Sequence, residues 1–533
     1  MRRFSSYGPI DIDEHYYVPR NELLEIGYTQ LTGENPEKGG HYFTVWAPRQ
    51  TGKTWMMQEL VRRLKQTDEY HVGIISMQPA KKKASEEKVL EILLDKMTQI
   101  FKIPFPKIEF ISDLASLFTK QYFQKPVILI LDEFDALKED FINSFADIFR
   151  DIFISRTSEP DQKSPDKTFI LHGLALIGVR SVLGIENVQG SPFNTQRTLQ
   201  IPNLTLEEVR GMFQWYEKES GQAIEPSVID QIYKEFNGQP GLTCWFGELL
   251  TEGCQWYTND KSKPITANEF EIVRAVATYV LPNNNILNLI SKAKEEANKR
   301  LILKMFQTDE KITFSFDNNA MNALYMHGLV EPETVDQKTY YMKFASPFVQ
   351  KRLFNYFSGQ YFNDLGKLVD PFISMSDVIT DTTLNIPNIL KLYQTYLKKN
   401  SVWLFKDMPR RSDMHIFEAI FHFNLYAYLS EFMKSPGGRV IPEFPTGNGK
   451  IDLILTYGTN RYGLELKSFA NERNYHESLK QASKYGKRLE LAEIFLVVFV
   501  ESIDDTNRAK FEVEFAASEI GVKVLPIFIE TGN

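Results

Sequence analysis

The sequence predicts an α/β protein of several domains, and three observations carry that reading. Between residues 41 and 200, aliphatic runs alternate with helical periodicity, the pattern of a parallel sheet covered on both faces. Residues 205–258 read as helices alone. From His415 a second α/β unit begins, with alternating strands, a helix and two aliphatic runs. At 533 residues the chain also exceeds what one hydrophobic core supports.

Taken in order, residues 20–24 open a short amphipathic helix, and 32–40 form a Gly-rich loop. A strand at 41–46 runs into a Gly-Lys-Thr turn and a helix over 54–64, followed by a strand at 72–77. Helical patterns fill 86–101 and 111–121; aliphatic strands follow at 127–131 and 168–179. Thr205-Leu206-Glu207-Glu208 is a helix start with a capping signal. Residues 267–356 mix helices with a β signal at 339–344, which suits a winged-helix-like domain. A weakly patterned connector at 357–412 holds one helix, at 386–399. The last unit has one long aromatic-rich helix carrying His415 and His422, two alternating strands, a further helix, and aliphatic strands at 494–500 and 522–529. The expected divisions are 1–202, 203–266, 267–356, 357–412 and 413–533.

The net charge of −8 excludes a basic nucleic-acid coat, although a local groove can still be positive. Cys244 and Cys254, the only cysteines, give neither a disulfide scaffold nor zinc spacing, and fit a reducing cytoplasm. No apolar run approaches the roughly 18 residues of a membrane helix, and residues 1–17 lack an apolar signal core. The expectation is a cytoplasmic protein without a membrane partner.

Two constellations carry chemistry. Ala47-Pro48-Arg49-Gln50-Thr51-Gly52-Lys53-Thr54 fits the phosphate-binding loop, with Ala47 where glycine is commoner. Its backbone N–H groups and the following helix N-terminus suit a phosphate anion. Lys53 is placed to reach the β- and γ-phosphates of ATP, and the Thr54 hydroxyl to ligate Mg2+. The strand 127–131 ends in Asp132 and Glu133: the first for the magnesium shell, the second to polarise the attacking water, with Asp135 on the acidic rim. In the last unit, residues 449–455 and 462–467 alternate as two strands joined by a turn at Gly458-Thr459-Asn460. Glu465 and Lys467 then share a face, with Asp452 on the paired strand. Two carboxylates and a lysine on one face suit a divalent cation with a base beside it.

Residues 15–255 resemble the AAA-like branch of P-loop ATPases, close to the STAND signalling ATPases. The resemblance rests on the loop, on Leu131-Asp132-Glu133-Phe134-Asp135 and on three later segments. Ile177-Gly178-Val179-Arg180 resembles the strand end that senses the γ-phosphate, with Arg180 as its polar residue; Arg49 and Arg197 are further cationic candidates. Ser191-Pro192-Phe193-Asn194, followed by Ile201-Pro202-Asn203-Leu204-Thr205, resembles the exit into a helical lid. Asn237-Gly238-Gln239-Pro240-Gly241 resembles the lid motif, which places Pro240 near the nucleotide base. The family implies nucleotide-gated rearrangement and homo-oligomerisation.

Residues 413–531 resemble the PD-(D/E)XK nuclease superfamily, which is a restriction-endonuclease-like α/β fold. Asp452 with Glu465-Leu466-Lys467 matches its core motif; Glu418 matches its extra helix acid; Gln481 and Tyr485 match a glutamine–tyrosine pair of related branches; Ile451 stands where the proline would be. The resemblance implies that Asp452 and Glu465 ligate Mg2+, that Lys467 orients or activates water, and that DNA or RNA is the substrate of phosphodiester hydrolysis. Lys480, Lys484, Lys487 and Arg488 on the next helix suit a phosphate backbone or an ordinary solvated face. The competing reading is a nucleotide-switched signalling or interaction protein whose last domain only binds nucleic acid or a partner.

Overall fold

The computed structural model describes residues 1–532 except 9, 82–84, 179–197, 308–310, 335–338, 370–372, 374, 413, 444–451 and 517–520. They fall into two compact units: Met1–Asn285 with Phe316–Leu329, and Ile286–Ser315 with Val330–Asn533.

In the first unit, α1 (Asn21–Thr32) precedes β1 (Tyr42–Trp46), α2 (Lys53–Thr67), β2 (His71–Ser76), α3 (Glu86–Phe101), β3 (Val127–Asp132), α4 (Glu139–Thr157), β4 (Leu171–Gly178) and β5 (Thr198–Gln200). The strands pair in parallel in the order β2-β3-β4-β1-β5. Every residue of β1, β3 and β4 is buried, because helices cover both faces. One face packs Phe43, Val45, Ile128 and Ile130 on Trp55, Met56 and Leu60 of α2 and Leu24 of α1. The other packs Tyr42, Leu129 and Leu131 on Leu90 and Leu93 of α3 and Phe145 and Phe149 of α4. The helix expected over 111–121 is a 3-10 helix, Ile111–Leu117, and the 19-residue α4 had no counterpart in the sequence reading.

Four helices follow: α5 (Leu206–Ser220), α6 (Pro226–Phe236), α7 (Pro240–Glu252) and α8 (Ala267–Tyr279). Thr205 and Glu208 form the expected reciprocal cap on α5. The chain then gives α9 (Asn284–Ala293) and α10 (Glu296–Gln307), returns to the first unit with α11 (Asn319–His327), and leaves it again through the hairpin β6 (Val330–Thr334) and β7 (Tyr340–Phe344). The stretch expected as one winged-helix-like domain is therefore shared between the two units.

The second unit continues through α12 (Pro347–Tyr361), α13 (Ile386–Leu404) and α14 (Glu418–Phe432) into β8 (Arg439–Glu443), β9 (Asp452–Tyr457), β10 (Asn460–Ser468), α15 (Glu472–Arg488), β11 (Glu493–Val500), α16 (Asp505–Phe511), β12 (Phe515–Ala516) and β13 (Lys523–Glu530). The sheet runs β12-β13-β11-β10-β9-β8, with β8, β9 and β10 an antiparallel meander and β11 and β13 parallel to β10. Tyr475, Leu479 and Ala482 of α15 pack on Ile494, Leu496 and Val498 of β11. The Gln394 amide of α13 exchanges two hydrogen bonds with the Glu530 backbone, at 3.0 and 2.7 Å. His415 lies before α14 and not on it, so the shared-helix expectation is corrected. Its Nδ1 is 3.0 Å from Glu501, whereas His422 is buried on α14 with its ring 5.3 Å from that of Phe499. Among the described residues, no helix is long and apolar enough to cross a membrane.

Candidate functional site

The phosphate-binding loop lies where β1 ends and α2 begins. Gly52 caps α2 at φ 88° and Gln50 stands at φ 57°, both left-handed, so the chain doubles back tightly before the helix. Lys53 Nζ donates to the carbonyls of Ala47 and Pro48, each at 2.6 Å, and the Thr51 hydroxyl donates to Pro48 O at 2.9 Å. Burial pushes the Lys53 ammonium down to about 8, against the opposing pull of Asp135 and Asp132. A phosphate arriving here replaces neutral carbonyls with an anion, which the same ammonium prefers.

The acids come from β3. The Thr54 hydroxyl donates to Asp132 Oδ2 at 2.8 Å, joining the loop to the strand end. Glu133 is held at φ 54°, its N–H bonded to Asp132 Oδ1 at 2.8 Å. Its carboxylate accepts from Ser76 Oγ at 2.7 Å. Ser76 escaped the sequence reading; its signal is register, since it pairs with Asp132 across β2 and β3. The oxygen pair Thr54–Asp132 fits a magnesium ion, which takes few protein oxygens and keeps waters and phosphates as its other ligands.

Residues 237–241, expected as a lid motif, reach the loop. Gly241 N donates to Gln50 O at 2.9 Å, and the Gln239 amide donates to Arg49 O at 2.9 Å. Pro240 is the first residue of α7, where its missing N–H costs nothing. Gly238, at φ 65°, lies so close to Leu204 O that a Cβ would sit 2.0 Å from it. From α11, Tyr325 sets its ring 5.3 Å from that of Trp46 and accepts from Gln200 Nε2 at 3.0 Å. Gly328, at φ 80°, leaves 2.9 Å between a notional Cβ and Pro48 Cβ. Arg49 is exposed; Arg180, Arg197 and residues 191–194 lie outside the described residues.

In the second unit, Asp452 and Glu465 face each other across β9 and β10, and Glu443 faces Asp452 from β8. Directly opposed residues share a face, so the three carboxylates form a row. Glu443 was missed because Pro442 and the preceding glycines hide β8. Asp452 and Glu465 are 1% exposed, Lys467 is 8% exposed, and Lys467 Nζ is 3.8 Å from Glu465 Oε1. Tyr485 of α15 faces the same row: burial, then Asp452 and Glu443, hold its phenol far above the usual range. Glu418 begins α14 and pairs with Arg411 at 3.6 Å. Among the described residues, no three of His, Cys, Asp or Glu form a metal-holding group. Asp452 and Glu465 still supply two hard oxygen donors, the number magnesium commonly takes from protein. Residues 449–451 lie outside the described residues.

Beside the row, α15 turns Lys480, Lys484, Lys487 and Arg488 to solvent, with Arg488 4.9 Å over the Tyr485 ring. Its two carboxylates, Glu472 and Glu477, are engaged by Lys510 and Arg473.

Comparison with known proteins matches residues 5–246 to the family described as AAA-like domain, and residues 384–502 to a domain of unknown function, DUF8371. No curated protein matches the chain. Among solved structures, the chain is similar to a Walker-type ATPase of Pyrococcus abyssi, at 13% identity and a TM-score of 0.43, over 66% of this chain and 99% of that one. It is also similar to Cdc6p from Pyrobaculum aerophilum, at 14% identity and TM-score 0.36, over 65% and 95% of the two chains. A third is the Aeropyrum pernix ORC1 protein in complex with DNA, at 14% identity and TM-score 0.33, over 64% and 93%. The family match and the loop geometry agree: the N-terminal part of this chain is an AAA-like P-loop ATPase domain.

Proposed function

We propose that the chain hydrolyses ATP at the P-loop and uses the nucleotide state to control metal-dependent phosphodiester cleavage of nucleic acid at the acidic row of the second unit. The observation that carries the first half is the Thr54–Asp132 contact beside Lys53, since all three groups converge where a triphosphate and its cation would sit. Lys53 leaves its carbonyl partners for the phosphates, and Glu133, steadied by Ser76, orients the water that attacks the γ-phosphorus. The second half is supported by Asp452, Glu465 and Lys467 sharing one buried face.

Thr54 with Asp132, and Asp452 with Glu465, would hold Mg2+, which when bound neutralises phosphate charge and polarises the bond under attack. Lys467 then positions the attacking water or the scissile phosphate, and Tyr485 keeps its proton and remains a donor toward the row. A helix, a three-stranded meander and a second helix are the elements that bring these groups together. The basic side of α15 is the face on which a DNA or RNA backbone would lie. Homo-oligomerisation and a cytoplasmic setting belong to the same reading. Coupling is supported by Phe316–Leu329, which bears on the P-loop while both its flanks belong to the second unit.

The test is cleavage of labelled DNA and RNA with magnesium, with and without ATP. Wild type is expected to give products that an Asp452→Ala, Lys467→Ala double variant does not. Equal products from both, or none from wild type under any nucleotide, would leave the interaction-protein reading in its place.

A further inference from the structure

We propose that Gln50 is a positioning residue that fastens the P-loop to the lid and to the N-terminal segment, and so sets how fast nucleotide leaves. The inference rests on the P-loop being the nucleotide site.

Gln50 uses both its backbone and its side chain. Its carbonyl accepts from Gly241 N at 2.9 Å, at the first turn of the lid helix α7. A Cβ at Gly241 would lie 2.5 Å from Gln50 Cβ, so this approach is open only to glycine. The side-chain amide Nε2 donates to Ser6 O at 3.3 Å. The left-handed backbone of Gln50 shows what the arrangement requires, because a side chain at φ 57° persists only where its surroundings hold it.

Ser6 belongs to a segment already anchored on the lid. Arg2 gives its backbone N–H and Nη1 to Glu219 of α5 at 3.0 and 2.6 Å, and its guanidinium lies 4.6 Å over the Trp215 ring. Phe4 is wholly buried, with its ring 4.7 Å from Phe213 and 5.9 Å from Tyr216. Gly247 of α7 gives it room, since a Cβ there would lie 2.8 Å from the ring. One end of the segment therefore grips α5 and α7, and the other meets the P-loop at Gln50. Withdrawing the lid from the loop requires the Gly241 contact to break and the segment either to follow or to release Gln50. Either route adds to the barrier for nucleotide release while leaving the approach of nucleotide to an open loop unchanged.

The test is stopped-flow release of a fluorescent ADP analogue from the full chain. Gln50→Ala and Phe4→Ala are each expected to speed release up to about tenfold, the upper end of one hydrogen bond's net worth, and Phe4→Ala to do so with an unchanged association rate. Gln50→Glu keeps the shape without the N–H donor and should behave as Gln50→Ala; a purely steric role would leave it like wild type. Because both ends act through one tie, the Phe4→Ala, Gln50→Ala double variant should release no faster than the faster single variant. Should Phe4→Ala fail to fold, Arg2→Ala loosens the same end and leaves the aromatic cluster in place. Wild-type release from folded Gln50→Ala, or multiplying effects in the double variant, overturns the proposal. A wild-type chain that binds no analogue overturns the nucleotide site itself, and is told apart by the missing binding signal.

Discussion

The two units differ in what surrounds the charged groups of their sites. In the first, cations sit among neutral acceptors: Lys53 on the carbonyls of Ala47 and Pro48, Lys167 on Arg156 O at 2.7 Å, and Arg156 on Phe169 O and Ser164 Oγ. In the second, the buried carboxylates Asp452 and Glu465 share one row with the half-buried Glu443, beside Lys467. A cation held by carbonyls is ready to be given to an anion, whereas buried carboxylates in a row are ready to receive a cation. The contrast ranks the two sites by ligand charge before any reaction is considered, and it separates working groups from scaffold. Arg156, Lys167 and His172 lie at the end of the first sheet away from the P-loop, where Ser164 Oγ joins Arg156 to His172 and the His172 ring reaches Thr32 O.

The largest expected effect tests the acidic row. Lys467→Ala should lower magnesium-dependent cleavage by about 10²–10⁴-fold while nucleotide binding to the first unit stays at the wild-type level, measured on the same preparation. Loss of nucleotide binding in that variant would mean the two sites are not chemically separate. Next is His172, whose burial pushes its imidazole down to about 4, with the Arg156 and Lys167 charges adding to the shift. A depressed folded value means that the unfolded chain takes up the proton first, so stability is present above about 6.5 and is lost as pH falls toward 4. Urea unfolding of the first unit should lose roughly 3 kcal/mol between pH 7 and pH 4 from this group, and His172→Gln should remove that part of the slope. A slope unchanged by the substitution would assign the acid loss elsewhere.

A smaller effect sharpens the cation side. Phosphate binding requires the Lys53 ammonium, and the ligand-free loop releases that proton near pH 8. Nucleotide affinity should therefore weaken above pH 8, by at most about tenfold per pH unit, and calorimetry in two buffers should show proton uptake on binding. Lys53→Arg should flatten the profile, because guanidinium stays charged. The smallest effect concerns scaffold only: Thr205→Ala removes the α5 cap and should cost about 1 kcal/mol by thermal unfolding, with no change in nucleotide affinity.

Legibility in the sequence followed the same division. The P-loop is eight contiguous residues at a strand–helix junction, so order and spacing sufficed to read it. Asp452 and Glu465 could be paired because alternation and a Gly-Thr turn set a hairpin register, which the strands follow. Glu443, Ser76 and the Gln50–Gly241 contact depend on pairings between distant segments, and local periodicity carries no trace of them. β8 was hidden by Pro442, β5 by its three-residue length, and α4 by acids and aromatics spread along its length. His415 and His422 were read onto one helix; the chain instead starts α14 at Glu418, so that His422 lies on it and His415 stands before it beside Glu501.

The placement of Phe316–Leu329 has a practical consequence for dissection. A single scission after Asn285 would separate Tyr325 and Gly328 from the Trp46 and Pro48 surface they cover. Protease nicking on either side of that stretch should therefore leave it associated with the nucleotide-binding half until the chain is denatured.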